Sequence, residues 1–387
     1  MHTAHIEHAS YRIYFVIAMM HVLNSPSDRD GSLSRKALPD RRTTSARRPD
    51  RQAWTIERRS IMKIAGTLIF GLACSIVALV SPSAFAQEWP AKAVTIIVPF
   101  GAGSTPDMVA RLIGDELQKK HPGSAFVVES KAGAGGVIGT DAVAKATPDG
   151  TTIGVSIGAP LAIDTLLMSK LPYDPAKDIV PITQLVTTAS VIAVNSSLNV
   201  NSMAELIALL KKEPDKYNFG SIGNGSLSHL AMEAIGLKSG AKMVQVPYPS
   251  SPAAVIGLVS GDVQLAALPA VAVMPQATSG KVKVLAVSLP KRSSFLPNVP
   301  TLKESGIDVE ADAWMGLIAP RGTPKALANT INKEVTEAIT SKAVREKLAT
   351  QYMEPVGNSP EQFRAVINAE IARWEPIIKA AKIQKVD

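Results

Sequence analysis

Four short stretches combine glycine, hydroxyl and amide groups in patterns that suit holding an anion better than breaking a bond. The first, PFGAGSTPD at 99–107, sets a Gly-rich turn between an apolar run and a helix start. Glycine lets the backbone come close to a ligand. The first N–H groups of a helix are unpaired and carry partial positive charge, so the pair of features favours a carboxylate or phosphate. Thr105 is expected to cap a helix that begins at Pro106. Pro106 also stands where a dinucleotide fingerprint needs its third glycine, and no Gly-Lys-Ser/Thr follows, which excludes a phosphate-binding P-loop. The second stretch, KAGAGGVIG at 131–139, offers another nest of backbone N–H groups, although an ordinary turn between strand and helix has the same look.

The third, GVSIG at 154–158, matches the nucleophile elbow of α/β-hydrolases. That reading needs an acid and then a histidine after Ser156. Asp164, Asp174, Asp178 and Asp215 qualify as acids, but His229 is the sole downstream histidine and comes too early, with 158 residues still to follow. Ser156 is better read as a hydrogen-bonding wall at a strand end. The fourth, GSIGNGSLSH at 220–229, places three hydroxyls and an amide ahead of a helix expected near Leu227. His229 is expected to make a helix hydrogen bond rather than serve as a metal ligand or base. No carboxylate pair, metal-ligand cluster or Cys/His arrangement occurs. Several cradling loops without a reactive group point to binding, with no enzyme activity, cofactor or metal.

The elements that would position these loops alternate. Short apolar runs at 94–98, 126–128, 153–157, 191–194, 243–246, 263–265 and 282–287 read as strands buried on both faces. Between them lie helical patterns: Val109, Leu112, Ile113 and Leu117 share one face, Ser202 to Glu205 reads as a capping box, Thr323-Pro324 as a cap with proline at the first helical position, and Ser359-Pro360 repeats that device. Such alternation means α/β with mostly parallel sheets, and about 300 residues imply two lobes. No internal repeat of fixed period is evident.

The formal charge of +8 suggests a polyanion partner until its position is examined. Residues 1–86 hold 12 of the 41 Lys and Arg against 6 of the 33 acidic residues, leaving 29 against 27 in the remainder. That near-neutral remainder carries no footprint for nucleic acid. Met62 opens an export signal: Lys63, an apolar run to Val80, Ser81-Pro82-Ser83, and an A-x-A site at Ala84 to Ala86, with Gln87 as the mature start. Residues 62–86 are thus expected to be a signal peptide and 1–61 a disordered or mis-annotated extension. Cleavage removes Cys74, the lone cysteine, and leaves two of the six histidines, His121 and His229.

Taken in order, further segments carry a resemblance. They are Trp89-Pro90 with IIVPFG at 96–101, Asp107 with Arg111, VESKAGAGG at 128–136, PDG at 148–150, Tyr173-Asp174 with Asp178, GNGS at 223–226 with His229, and VPY at 246–248. GKVKVLAV at 280–287, Arg292, PNVPT at 297–301 with Glu304 and Gly306, WMG at 314–316 and APRGTP at 319–324 complete the series. The chain from 87 onward resembles the Bug family, periplasmic receptors of tripartite tricarboxylate transporters. The resemblance implies a type II periplasmic-binding fold of two lobes, 87–188 plus 312–387 and 189–311, closing about a hinge on an organic acid. It implies ligand contacts at Phe100, Gly101, Gly103, Ser104, Thr105, Gly135, Gly136, Ser156 and Gly158 in the first lobe, and at Gly223, Gly225, Ser226 and His229 in the second. It further implies a monomer in the periplasm serving membrane components of a secondary transporter; a sensory receptor on the same fold is the alternative. Ser104 replaces a usual glycine, and Pro249-Ser250 replaces a usual Lys-Gly, which widens the expected ligand to longer or aromatic acids.

Overall fold

The computed structural model describes residues 89–385, so the expected extension and export signal lie outside the described residues. Eleven strands are described: β1 (Ala93–Val98), β2 (Ala125–Ser130), β3 (Thr152–Ile157), β4 (Ile179–Thr188), β5 (Ser190–Asn195), β6 (Asn218–Ser221), β7 (Val244–Pro247), β8 (Leu265–Pro269), β9 (Val282–Val287), β10 (Ala313–Pro320) and β11 (Met353–Pro355). They form two sheets, in the orders β11-β4-β10-β3-β1-β2 and β7-β6-β8-β5-β9. The helices are α1 (Thr105–Lys120), α2 (Val137–Ala144), α3 (Asp164–Leu167), α4 (Met203–Lys212), α5 (Leu227–Ser239), α6 (Ser251–Ser260), α7 (Ala270–Thr278), α8 (Lys325–Ile339), α9 (Lys342–Ala349) and α10 (Pro360–Ala380). A π-helical turn, Ala159–Ile163, runs into α3.

The two sheets share one plan. In the first, β1 lies parallel to both β2 and β3, and β10 and β4 extend the sheet antiparallel beyond β3. In the second, β6 lies parallel to β7 and β8, and β5 and β9 extend it antiparallel beyond β8. The fold is two-lobed α/β, as expected, but strand direction differs from the expectation of mostly parallel sheets: the antiparallel pairings involve β4, β5, β9 and β10, the strands through which the chain passes from the first sheet to the second and back. β10 returns after the 288–312 connection and inserts between β3 and β4. β4 and β10 have no counterpart among the apolar runs of the sequence. Polar Thr183 and Gln184 interrupt β4, where the Thr183 hydroxyl donates to Asn358 O at 2.8 Å. Gly316 interrupts β10, where a Cβ would overlap the ring of Phe363 from α10.

Local differences have local causes. β2 was expected to be buried on both faces but is an edge strand, with Val127 53% exposed. Ser104, not Thr105, caps α1, its Oγ accepting from Asp107 N. Ser202 caps α4, but the Glu205 carboxylate accepts from Asn201 N rather than from the cap residue itself. Thr323 does not cap α8; its hydroxyl turns back to Pro320 O at 2.8 Å. Ser359 and Gln362 form the full capping box of α10.

Each sheet is covered on both faces. One face of the first sheet packs Ile96, Ile153 and Leu317 against Ile113 and Leu117 of α1 and Ile331 and Val335 of α8. Its other face packs Ile97 and Ile318 against Val137, Leu161, Phe363 and Ile367. The second sheet packs against Leu206 and Leu210 of α4 and Leu230 and Ile235 of α5 on one side, and against α6 and α7 on the other. α10 serves both: Phe363 and Ile367 belong to the first sheet's core and Trp374 to the second's. Burial of residues this large contributes about 3–5 kcal/mol each against truncation to alanine.

Candidate binding site between the lobes

In a β2-β1-β3 order the chain winds to one side of β1 and then to the other, which opens a crevice at the strand ends where loops can receive a ligand. The loops after β1 and β3 flank that point in the first sheet, and the loops after β6 and β8 flank it in the second. The glycine stretches at 99–104 and 222–226 follow β1 and β6 and so stand at these strand ends, whereas that at 131–136 follows β2.

The first loop is held by hydrogen bonds from its own helix. Gly103, at φ +79°, donates its N–H to Asp107 Oδ2 at 2.9 Å. Ser104 N donates to Gly101 O at 3.1 Å, and Asp107 N to Ser104 Oγ at 3.4 Å. Arg111 grips Asp107 with both ends, Nε to Oδ2 at 2.9 Å and Nη2 to Oδ1 at 3.0 Å. That guanidinium holds the Asp107 carboxyl below the usual range against the opposing effect of burial, with help from Gly103 N–H.

The second stretch meets the first. A Cβ on Gly136 would lie 3.0 Å from Pro160 Cγ and 3.2 Å from Phe100 Cζ. Only glycine lets Phe100, Gly136 and the turn after β3 converge. Gly135 is exposed beside it, as are Gly101 and Gly103, whereas Thr105 is half-buried in the first turn of α1. Gly158 lies against the Trp314 indole, which a Cβ would approach to 3.4 Å.

Ser156 stands apart from these loops. It is fully buried, and its Oγ lies 2.8 Å from Thr140 Oγ1, tying β3 to α2. The hydroxyl is spent inside the first lobe, not on a cleft wall. His229 is engaged elsewhere, so the elbow-like pentapeptide has no triad geometry.

In the second lobe Gly225, at φ +72°, donates its N–H to His229 Nδ1 at 3.1 Å. His229 therefore bonds back to the loop rather than within the helix, in a role that requires an unprotonated Nδ1. Its Nε2 lies 3.6 Å from Glu233 Oε1, and its ring stacks on Phe219 at 6.1 Å between centroids. Ser226 caps α5 through its acceptance from His229 N and donates its hydroxyl to Gly223 O at 2.7 Å. Ser228 Oγ accepts from Ile222 N at 2.9 Å. The loop's serines are thus used to shape it, and Asn224 is left exposed at its tip.

Sequence reasoning missed the element that links these loops. The segment from Pro160 to Leu167 begins beside Phe100 and Gly136 and ends with Leu167 pressed on Gly225. Ile163 and Leu167 belong to the second sheet's core although they follow β3 of the first. The seven helical steps from Pro160 to Leu167 span ~10 Å. The apolar residues of this segment gave no signal of that role. Within it, burial pushes the Asp164 carboxyl up to about 6.

The candidate segments 99–105, 132–136, 157–158 and 222–226 contain no charged residue. Their donors are backbone N–H, hydroxyl and amide groups. Two surface hollows, one beside Lys120 and Glu334 and the other beside Ile256 and Lys281, lie away from these segments.

The comparisons agree with this architecture. The family described as "Tripartite tricarboxylate transporter family receptor" matches residues 109–383. Protein BugT of Bordetella pertussis is 37% identical over 296 residues, 76% of this chain and 90% of that protein. The solved structure "R. palustris Rpa4515 with adipate" is 34% identical, with a TM-score of 0.67 over 77% of this chain and 100% of its own. MatC from Rhodopseudomonas palustris with bound malate is 30% identical, with a TM-score of 0.62 over 75% of this chain and 100% of its own. The matched family is one of receptors, and the solved neighbours include a "Structure of periplasmic binding protein BugD"; the chain is a receptor, not an enzyme. The chain belongs to the receptor family of the tripartite tricarboxylate transporters.

Proposed function

We propose that this receptor captures a small organic acid in the periplasm and presents it to the membrane components of a secondary transporter. The observation that carries the reading is the pair of uncharged glycine loops, one after β1 and one after β6, each running into a capped helix start. Such loops favour a carboxylate through N–H groups and helix partial charge without a fixed cation. The related structures with adipate and malate support a di-acid as the ligand class.

In this reading residues 87–188 with 312–387 act as one lobe and 189–311 as the other, hinged at Ala189 and in the 288–312 connection. One carboxylate docks at Phe100 to Thr105 with Gly135, Gly136 and Gly158 beside it. The loop from Gly223 to Ser226 closes from the second lobe. A ligand that binds the closed form better shifts the balance by its differential affinity. Export by a signal peptide at 62–86 and a monomeric state complete the proposal.

Thermal denaturation of purified 87–387 against a panel of C4 to C8 mono- and dicarboxylates tests it. A cognate acid at a hundredfold its Kd stabilises by about 2.7 kcal/mol. No shift with any carboxylate sinks the reading.

A further inference from the structure

The two loops are the same device built twice. GAGSTPD at 101–107 and GNGSLSH at 223–229 share the pattern Gly-x-Gly-Ser-x-x-Asp/His. Each follows the strand that sits between two parallel neighbours, β1 between β2 and β3, β6 between β7 and β8. Three hydrogen bonds recur in both. The N–H of the second glycine goes to the side chain four residues on, Gly103 to Asp107 at 2.9 Å and Gly225 to His229 at 3.1 Å. The serine N–H goes to the first glycine's carbonyl, Ser104 to Gly101 at 3.1 Å and Ser226 to Gly223 at 3.4 Å. The serine Oγ accepts from the N–H of the same Asp or His, at 3.4 and 3.3 Å. The second glycine is left-handed in both, at φ +79° and +72°. Asp107 is 2% exposed and His229 5%.

We propose that Asp107 and His229 are equivalent positioning residues, each consuming one glycine amide so that the remaining donors of its loop are held ready for the ligand. The inference rests on the receptor reading above and reassigns Gly103 N, Gly225 N and His229 from ligand contacts to scaffold. A flexible glycine loop loses conformational freedom when it closes on a ligand, and a brace formed beforehand removes part of that cost. α4 uses a related acceptor, Glu205 on Asn201 N, at a start with no glycine before it. What α1 and α5 add is a left-handed glycine as the braced residue and a strand end at the crevice.

The loops differ in the bond their serine hydroxyl donates. The Ser104 hydroxyl accepts from Asp107 N and keeps its hydrogen for the ligand, whereas Ser226 spends its hydrogen on Gly223 O. The first loop therefore offers a hydroxyl donor and the second its Asn224 tip.

The test uses 87–387 labelled with nitrogen-15, with adipate and malate as probes. Amide exchange at Gly103 and Gly225 reads the braces directly, and calorimetric titration reads binding. Both amides are expected to be protected in the parent protein. Asp107→Ala and His229→Ala are each expected to expose the one partner glycine and to weaken acid binding about tenfold or more. Asp107→Asn and His229→Asn keep a side-chain acceptor and are expected to recover most of the protection and affinity. Should the alanine variants fail to fold, the asparagine variants and the parent amides still decide the matter. Unprotected glycine amides in the parent, or alanine and asparagine variants with equal affinity, overturn the proposal. A parent protein that binds neither acid rules out these two as ligands and, if it binds no other carboxylate, overturns the receptor reading, while the exchange data still decide the braces.

Discussion

Arg373 Nη1 lies 3.1 Å from Glu370 Oε2, one turn apart on α10 at the level where that helix passes from the first sheet's core to the second's. Glu370 is 3% exposed and also accepts from Trp374 Nε1. Arg373 reaches Glu310 at 3.2 Å and Asp312 at 3.6 Å, and Asp312 accepts from Thr187 at 2.9 Å. The network therefore ties α10 to the end of β4 and to the start of β10, the two strands that border the proposed hinge. Arg373→Met strands a buried carboxylate and is expected to cost about 1–3 kcal/mol in chemical denaturation, the lower part reflecting the partial exposure of Arg373.

Two aspartates contribute to the pH dependence of stability with opposite signs. Burial raises the Asp164 carboxyl from 3.8 to about 6, so the folded state holds its proton where the unfolded chain has lost it. That group makes stability fall as pH rises from about 4 to about 6. Asp164→Asn is expected to abolish the fall and to stabilise the protein at pH 7 by about 1–3 kcal/mol. Asp107 acts the other way. The Arg111 partnership lowers its pKa, and its contribution is present above the unfolded value and lost as pH drops below it. Urea denaturation of Asp164→Asn and the parent at pH 4, 5, 6 and 7 checks the sign, and curves that stay parallel reject it.

Gly316→Ala is expected to destabilise by about 2 kcal/mol or more, because the new methyl meets the Phe363 ring within a packed core. Phe363→Leu removes the collision at its own cost. A double-mutant cycle between the two should show a coupling of about 1 kcal/mol or more, since the residues touch. Additivity rejects the packing account.

Ser156→Ala should leave acid binding within about twofold and cost about 1–2 kcal/mol of stability, because Thr140 loses its buried partner. Assay of the parent and variant with nitrophenyl esters should give no turnover in either. Ester hydrolysis abolished by this change restores the hydrolase alternative.

The sequence made the units of strand, glycine loop and helix legible, since β1, β3 and β9 are mainly apolar runs and Ser359 is a capping residue in plain sight. It hid what depends on distant partners. β4 and β10 read as interrupted because Thr183 and Gly316 answer to Asn358 and Phe363, each tens of residues away or more. Ser104 and Thr105 are both competent caps, and only the bond to Asp107 N decides between them. The kinship of GAGSTPD and GNGSLSH was missed for a related reason. Asp and His differ in charge, yet in these loops both act as acceptors for a glycine amide.

The strand order has a consequence for how the chain matures. β3 and β4 are not neighbours; β10, starting at Ala313, must slot between them, and Trp374 then completes the second sheet's core. Neither half can finish its interior from a nascent chain that stops at residue 312. Contacts of such long sequence separation slow folding, because distant segments must meet before they are rewarded. A chain wired in this way cannot complete either interior until its last helix is made.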